Sequence, residues 1–66
     1  MSERELIVRI DSTASDDEAS LLVYRLRSQI EFVVTEKLGG DASVLLSKEE
    51  VSKLLHTLAS TLRENC

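Results

Sequence analysis

Apolar residues recur at every second position, Leu6, Val8 and Ile10, within residues 5 to 11, Glu-Leu-Ile-Val-Arg-Ile-Asp. In an extended chain this spacing puts Leu6, Val8 and Ile10 on one side and Glu5, Ile7, Arg9 and Asp11 on the other. Isoleucine and valine favour the pleated backbone, so the segment is expected to be a strand. A lone strand leaves its amides and carbonyls unpaired and needs a neighbour. Val44-Leu45-Leu46 is the other strand-like piece read from this chain, and the same strand of a second subunit is the alternative partner.

Past a polar connector, Asp11 to Ser15, the pattern changes. Ser15-Asp16-Asp17-Glu18 has the spacing of a capping box, and its acids complement a helix N-terminus. From about 16 to 38 the apolar residues Ala19, Leu22, Val23, Leu26, Ile30, Val33, Val34 and Leu38 fall on one stripe at 100° per residue. Within it Ala19, Val23, Leu26, Ile30 and Val33 alternate spacings of four and three, as in a coiled-coil seam. The opposite side of this long helix carries Leu21, Tyr24 and Phe32, with Arg25 at its rim. Lys37 stands in the last turn, Gly39 supplies the left-handed stop, and Gly40 and Asp41 continue the turn.

Residues 39 to 47 read as a Gly-Gly turn and loop. A second helix, 48 to 64, opens with Leu46, Ser47, Glu50 and Val51, a capping box with a hydrophobic staple. Val51, Leu54, Leu55, Leu58, Ala59 and Leu62 form one narrow stripe along it. The expected fold is therefore mainly α. One small domain has a short N-terminal β-strand followed by an antiparallel two-helix hairpin (β-α-α). Leu22, Leu26, Ile30 and Val33 are expected to face Leu54, Leu55, Leu58 and Leu62.

Chain length sharpens this expectation. A domain near this chain's 66 residues buries only about 60% of the surface its unfolded chain exposes, and small scaffolds are usually completed by disulfides, a metal or oligomerisation. One cysteine, Cys66, rules out an internal disulfide, and one histidine with one cysteine offers no Cys/His zinc set. A calcium loop is not matched either, since Asp11 to Glu18 lacks the glycine and the distal glutamate. Oligomerisation remains, and with it a homodimer or larger assembly. Leu21, Tyr24, Arg25 and Phe32, with the strand residues Leu6, Val8 and Ile10, are the expected partner or oligomer interface.

Net charge is −4, from 12 acids against 8 bases. That balance disfavours nucleic acid and anionic membranes. No apolar run reaches the roughly 20 residues that span a bilayer. The first residues carry charges of both signs and no signal-peptide core, so a cytoplasmic location is expected. Catalysis by a nucleophile needs a base and an orienting group beside it. His56 is the only imidazole, on the polar side of its helix, and no catalytic residue or cofactor is assigned.

The expected function is that of a small acidic non-enzymatic protein that binds itself and another protein. A regulator, an adaptor or an inhibitor, including a phage-type inhibitor of host machinery, fits that description. Two alternatives have residues behind them. The order strand, helix, helix over 5 to 64 resembles the ribbon-helix-helix DNA-binding family. That resemblance implies paired strands reading the major groove through Glu5, Ile7, Arg9 and Asp11, with Arg9 able to make a bidentate guanine contact. Arg25 and Arg27, flanking the seam, would instead serve a small anionic nucleotide ligand held between subunits.

Overall fold

The computed structural model describes residues 4–14, 18–37 and 39–64. Four strands and one helix follow one another: β1 (Glu5–Asp11), β2 (Ala19–Arg25), β3 (Gln29–Glu36), β4 (Gly40–Ser47) and α1 (Lys48–Glu64). The strands form one antiparallel meander, in the order β1-β2-β3-β4. The β-α-α hairpin expected from the sequence is therefore wrong. The segment assigned to the long first helix is the β2–β3 hairpin, and the loop assigned to 39–47 is β4. Strand β1 and helix α1 occupy the two spans read as strand and helix. The capping residues Ser15, Asp16 and Asp17 and the helix-end residue Leu38 lie outside the described residues.

The physical reason for the difference lies in the density of apolar residues between 19 and 38. Ala19, Leu21 and Val23 also alternate with Ser20, Leu22 and Tyr24, and Ile30, Phe32 and Val34 with Gln29, Glu31 and Thr35. A segment that is apolar on two opposite sides satisfies both periods, but only a strand turns successive residues to opposite faces. Val23, Ile30, Val33, Val34, Thr35, Tyr24 and Phe32 are β-branched or aromatic, types that pack well on a pleated surface. The β2–β3 connection conceals itself because it contains no glycine, proline, asparagine or aspartate. It closes by the Leu26 amide donating to the Gln29 carbonyl at 2.9 Å. No non-glycine residue among those described has positive φ.

The Gly-Gly pair serves a hairpin rather than a helix stop. Gly40, paired with Glu36 at the start of β4, has φ 103°, a conformation that L side chains adopt only under strain. The β1–β2 connection is tied at its base by the Ser12 amide donating to the Ala19 carbonyl at 2.8 Å. The Lys37 amide donates to the Glu18 carbonyl at 3.0 Å.

Directly opposed residues of antiparallel strands share a face, so the register sorts the side chains. One face carries the rows Val8–Val23–Phe32–Val44 and Ile10–Leu21–Val34–Ala42, with Ile30 and Leu46 beside Arg25 and Glu5 at one end. The other carries Leu6–Tyr24–Glu31–Leu45, Arg9–Leu22–Val33–Ser43 and Asp11–Ser20–Thr35–Asp41. Register shifts between Leu6 and Val8, a bulge that puts Leu6 opposite Tyr24 while Val8 and Ile10 oppose Val23 and Leu21. The single face expected for Leu6, Val8 and Ile10 is thus broken.

Helix α1 begins at the residue after β4 ends. Its capping box forms: the Ser47 amide donates to Glu50 Oε1 at 2.8 Å, and the Glu50 amide donates to Ser47 Oγ at 3.2 Å. Glu49 and Glu50 in the first turn and Arg63 in the last complement the helix dipole. No residue of the helix is buried. The molecule is 43 Å in its longest dimension. An eight-residue strand spans only about 26 Å. The helix thus lengthens the molecule instead of roofing the sheet.

Candidate interaction surface

The face built on Val8, Val23, Phe32 and Val44 is apolar across all four strands, yet Val23 is the only buried hydrophobic residue among those described, at 8% exposure. It sits at the centre of the sheet, with β1 on one side and Phe32 of β3 on the other. Outward from it the face opens: Val8, Ile10, Val34 and Val44 are all exposed. The leucines of α1 are similarly placed, from 38% exposure at Leu54 to 67% at Leu55 and Leu62. The helix-on-helix packing of Leu22, Leu26, Ile30 and Val33 against Leu54, Leu55, Leu58 and Leu62 is overturned, because Leu22, Ile30 and Val33 lie on strands and Leu26 in the turn between them.

The chain exposes 5658 Å² in total. A compact folded chain of 7.4 kDa exposes about 4,200 Å², leaving an excess of about 1,450 Å². Its radius of gyration is 13.5 Å, against about 11 Å for a compact domain of this length. Both measures describe one extended layer of structure. A sheet with an apolar face is stable only when a second layer covers that face.

The other face mixes apolar residues, Leu6 and Leu45 exposed among them, with a set of polar contacts. Arg4 lies with its guanidinium 4.0 Å from the centre of the Tyr24 ring and donates from Nη1 to Glu31 Oε1 at 2.7 Å. The Glu31 carboxylate raises the Arg4 pKa further above its ordinary value. Asp11 Oδ1 accepts from Ser20 Oγ at 2.6 Å and from Arg9 Nε at 3.1 Å. The Ser20 hydroxyl first, and Arg9 second, hold the Asp11 carboxyl below the usual aspartate value. Beside them a shallow cleft of about 440 Å³ runs past Arg9, Asp11, Ser20, Thr35, Glu36 and Lys37. Its cations are engaged with acids, Arg9 with Asp11 and Lys37 with Glu18 at 3.5 Å.

The residues expected to form one helix face are separated. Leu21 and Phe32 are half-buried on the face built around Val23, one on β2 and one on β3, while Tyr24 lies on the opposite face under Arg4. Arg25 ends β2 and donates to Glu5 of β1. Arg27 stands in the β2–β3 turn, so no helical seam brings it beside Arg25. Val34, Ala42 and Val44 also belong to the face around Val23, outside the set expected at an interface. Their signal was the alternation of Ala42, Val44 and Leu46 with Asp41, Ser43 and Ser47.

The ribbon-helix-helix resemblance loses its basis, because the strand is followed by three more strands and Arg9 is bound to Asp11 within the sheet. Among the described residues, no group of three or more His, Cys, Asp or Glu stands close enough to hold a metal ion. No described helix is long and apolar enough to cross a membrane. No protein-family model, curated protein or solved structure matches the chain.

Proposed function

We propose that the chain is a non-enzymatic protein-interaction module that completes its core by associating with a second copy of itself. In assembled form it would act on another protein as a regulator, adaptor or inhibitor, with the cytoplasm as its compartment. The observation that carries this reading is the coexistence of two apolar surfaces in one chain. The sheet face around Val23 lacks a cover, and the leucine stripe of α1 lacks a surface to lie on. A 17-residue helix is about 25 Å long, close to the span of the strands, so the two surfaces match in length.

The same chain has no linker with which to bring them together. Ser47 is both the last residue of β4 and the cap of α1, and its two capping hydrogen bonds fix the direction in which the helix leaves. A second copy supplies what the first lacks, in both directions at once. The excess of about 1,450 Å² per chain corresponds to the 2,000–5,000 Å² total of obligate dimers. Sedimentation equilibrium at micromolar concentration is the test, with a mass of at least two chains expected. A mass of 7.4 kDa together with a cooperative thermal melt would overturn the proposal.

A further inference from the structure

The two edges of the sheet are built differently. β1 has a bulge between Leu6 and Val8 and three charged residues in seven, Glu5, Arg9 and Asp11. Bulges and charges are the devices that keep an edge strand from pairing with another chain. β4 has neither device: it pairs with β3 without a register shift and carries one charge, Asp41, in eight residues. It contains no proline, and Val44 and Leu45 are exposed on opposite faces at its middle. Every second residue of such an edge turns its amide and carbonyl outward, unpaired by the sheet.

We infer that β4 is the pairing strand of a two-fold dimer, lying antiparallel to β4 of a second copy to make one continuous eight-stranded sheet. This rests on the self-association proposed above and names its geometry. A strand paired with itself about a two-fold axis is self-complementary, as a closed dimer requires. Antiparallel pairing sets the Ser47 end of each β4 against the Gly40 end of the other. Each α1, which starts at Lys48, is thereby rooted next to the partner's sheet, where its leucine stripe can cover the apolar face that its own exit angle leaves open. The two Asp41 carboxylates fall at opposite ends of the pair and do not oppose each other.

The test places nitroxide labels at Ser43→Cys on β4 or at Arg9→Cys on β1, each with Cys66→Ser, after circular dichroism has shown that the sheet is retained. Cross-strand neighbours stand about 5 Å apart at Cβ. Labels at position 43 are therefore expected to broaden each other's spectrum strongly. Labels at position 9 lie across seven strand spacings, about 34 Å, and should show only a long dipolar distance. Dilution with unlabelled protein should remove the broadening at 43. A dimer without close labels at 43, or with close labels at 9, overturns β4 pairing while leaving self-association intact. A monomer in sedimentation overturns both.

Discussion

Leu55 offers a direct measurement of the missing layer. In the single chain it is 67% exposed, so Leu55→Ala removes little existing burial. Complete burial of a leucine is worth about 1.5–3 kcal/mol, and the third already covered amounts to about 0.5–1 kcal/mol. Alanine's higher helix propensity offsets about 0.2 kcal/mol of that. An isolated chain would hardly register the change. If the leucine stripe is covered on association, the remaining two-thirds, about 1–2 kcal/mol, is lost once in each protomer. The dimer then loses about 2–4 kcal/mol, which weakens its dissociation constant by about 30- to 1,000-fold. Sedimentation equilibrium gives the constant. Melts at two protein concentrations give the second reading, because the midpoint of a dimer moves with concentration. Ser52→Ala, off the stripe on the same helix, serves as the control. A Leu55→Ala protein with an unchanged dissociation constant and an unchanged melt would refute the argument that the stripe is covered.

Two further expectations follow from local geometry. Gly40→Ala forces an L side chain into a backbone at φ 103° and should cost about 1–2 kcal/mol in urea denaturation. Gly39→Ala should cost less, since its methyl would press hardest on the Glu36 carboxyl group, the movable end of that side chain; equal losses would contradict this account of the turn. Asp11 should titrate below an ordinary aspartate in a carboxyl NMR titration. Because its folded value lies below its unfolded one, its contribution is complete above the unfolded pKa and fades as pH falls through the folded pKa. Ser20→Ala should raise the Asp11 value, and an unmoved titration would show that the hydroxyl is not the principal cause.

The sequence displayed its local features plainly. The alternation of Glu5 to Asp11 and the Ser47–Glu50 capping box are interactions between near neighbours, and near neighbours are adjacent in any reading of the chain. The stretch from Ala19 to Leu46 was not legible in the same way. Its apolar residues fit a helix and a strand alike. Its first turn, around Arg27 and Ser28, has no glycine, proline, asparagine or aspartate to mark it, and its Gly-Gly pair serves a helix end or a hairpin equally well. The bulge at Leu6 was also invisible, since it exists only as a mismatch between β1 and β2. Of the residues expected at an interface, Leu21, Phe32, Val8 and Ile10 do share one face, but across three strands. Tyr24 and Leu6 sit on the other.

What the sequence alone determined is the amount of apolar material, 42% of 66 residues, and that its one cysteine allows no internal disulfide. Volume and composition do not depend on how the chain is folded. Which surfaces carry the apolar residues was decided only in three dimensions. Strand pairing joins residues as far apart as Val8, Val23, Phe32 and Val44 into one row, and no local propensity encodes that partnership. The chain's apparent two-faced helix became two strands because backbone hydrogen bonds between distant segments, once formed, send alternate side chains to opposite faces.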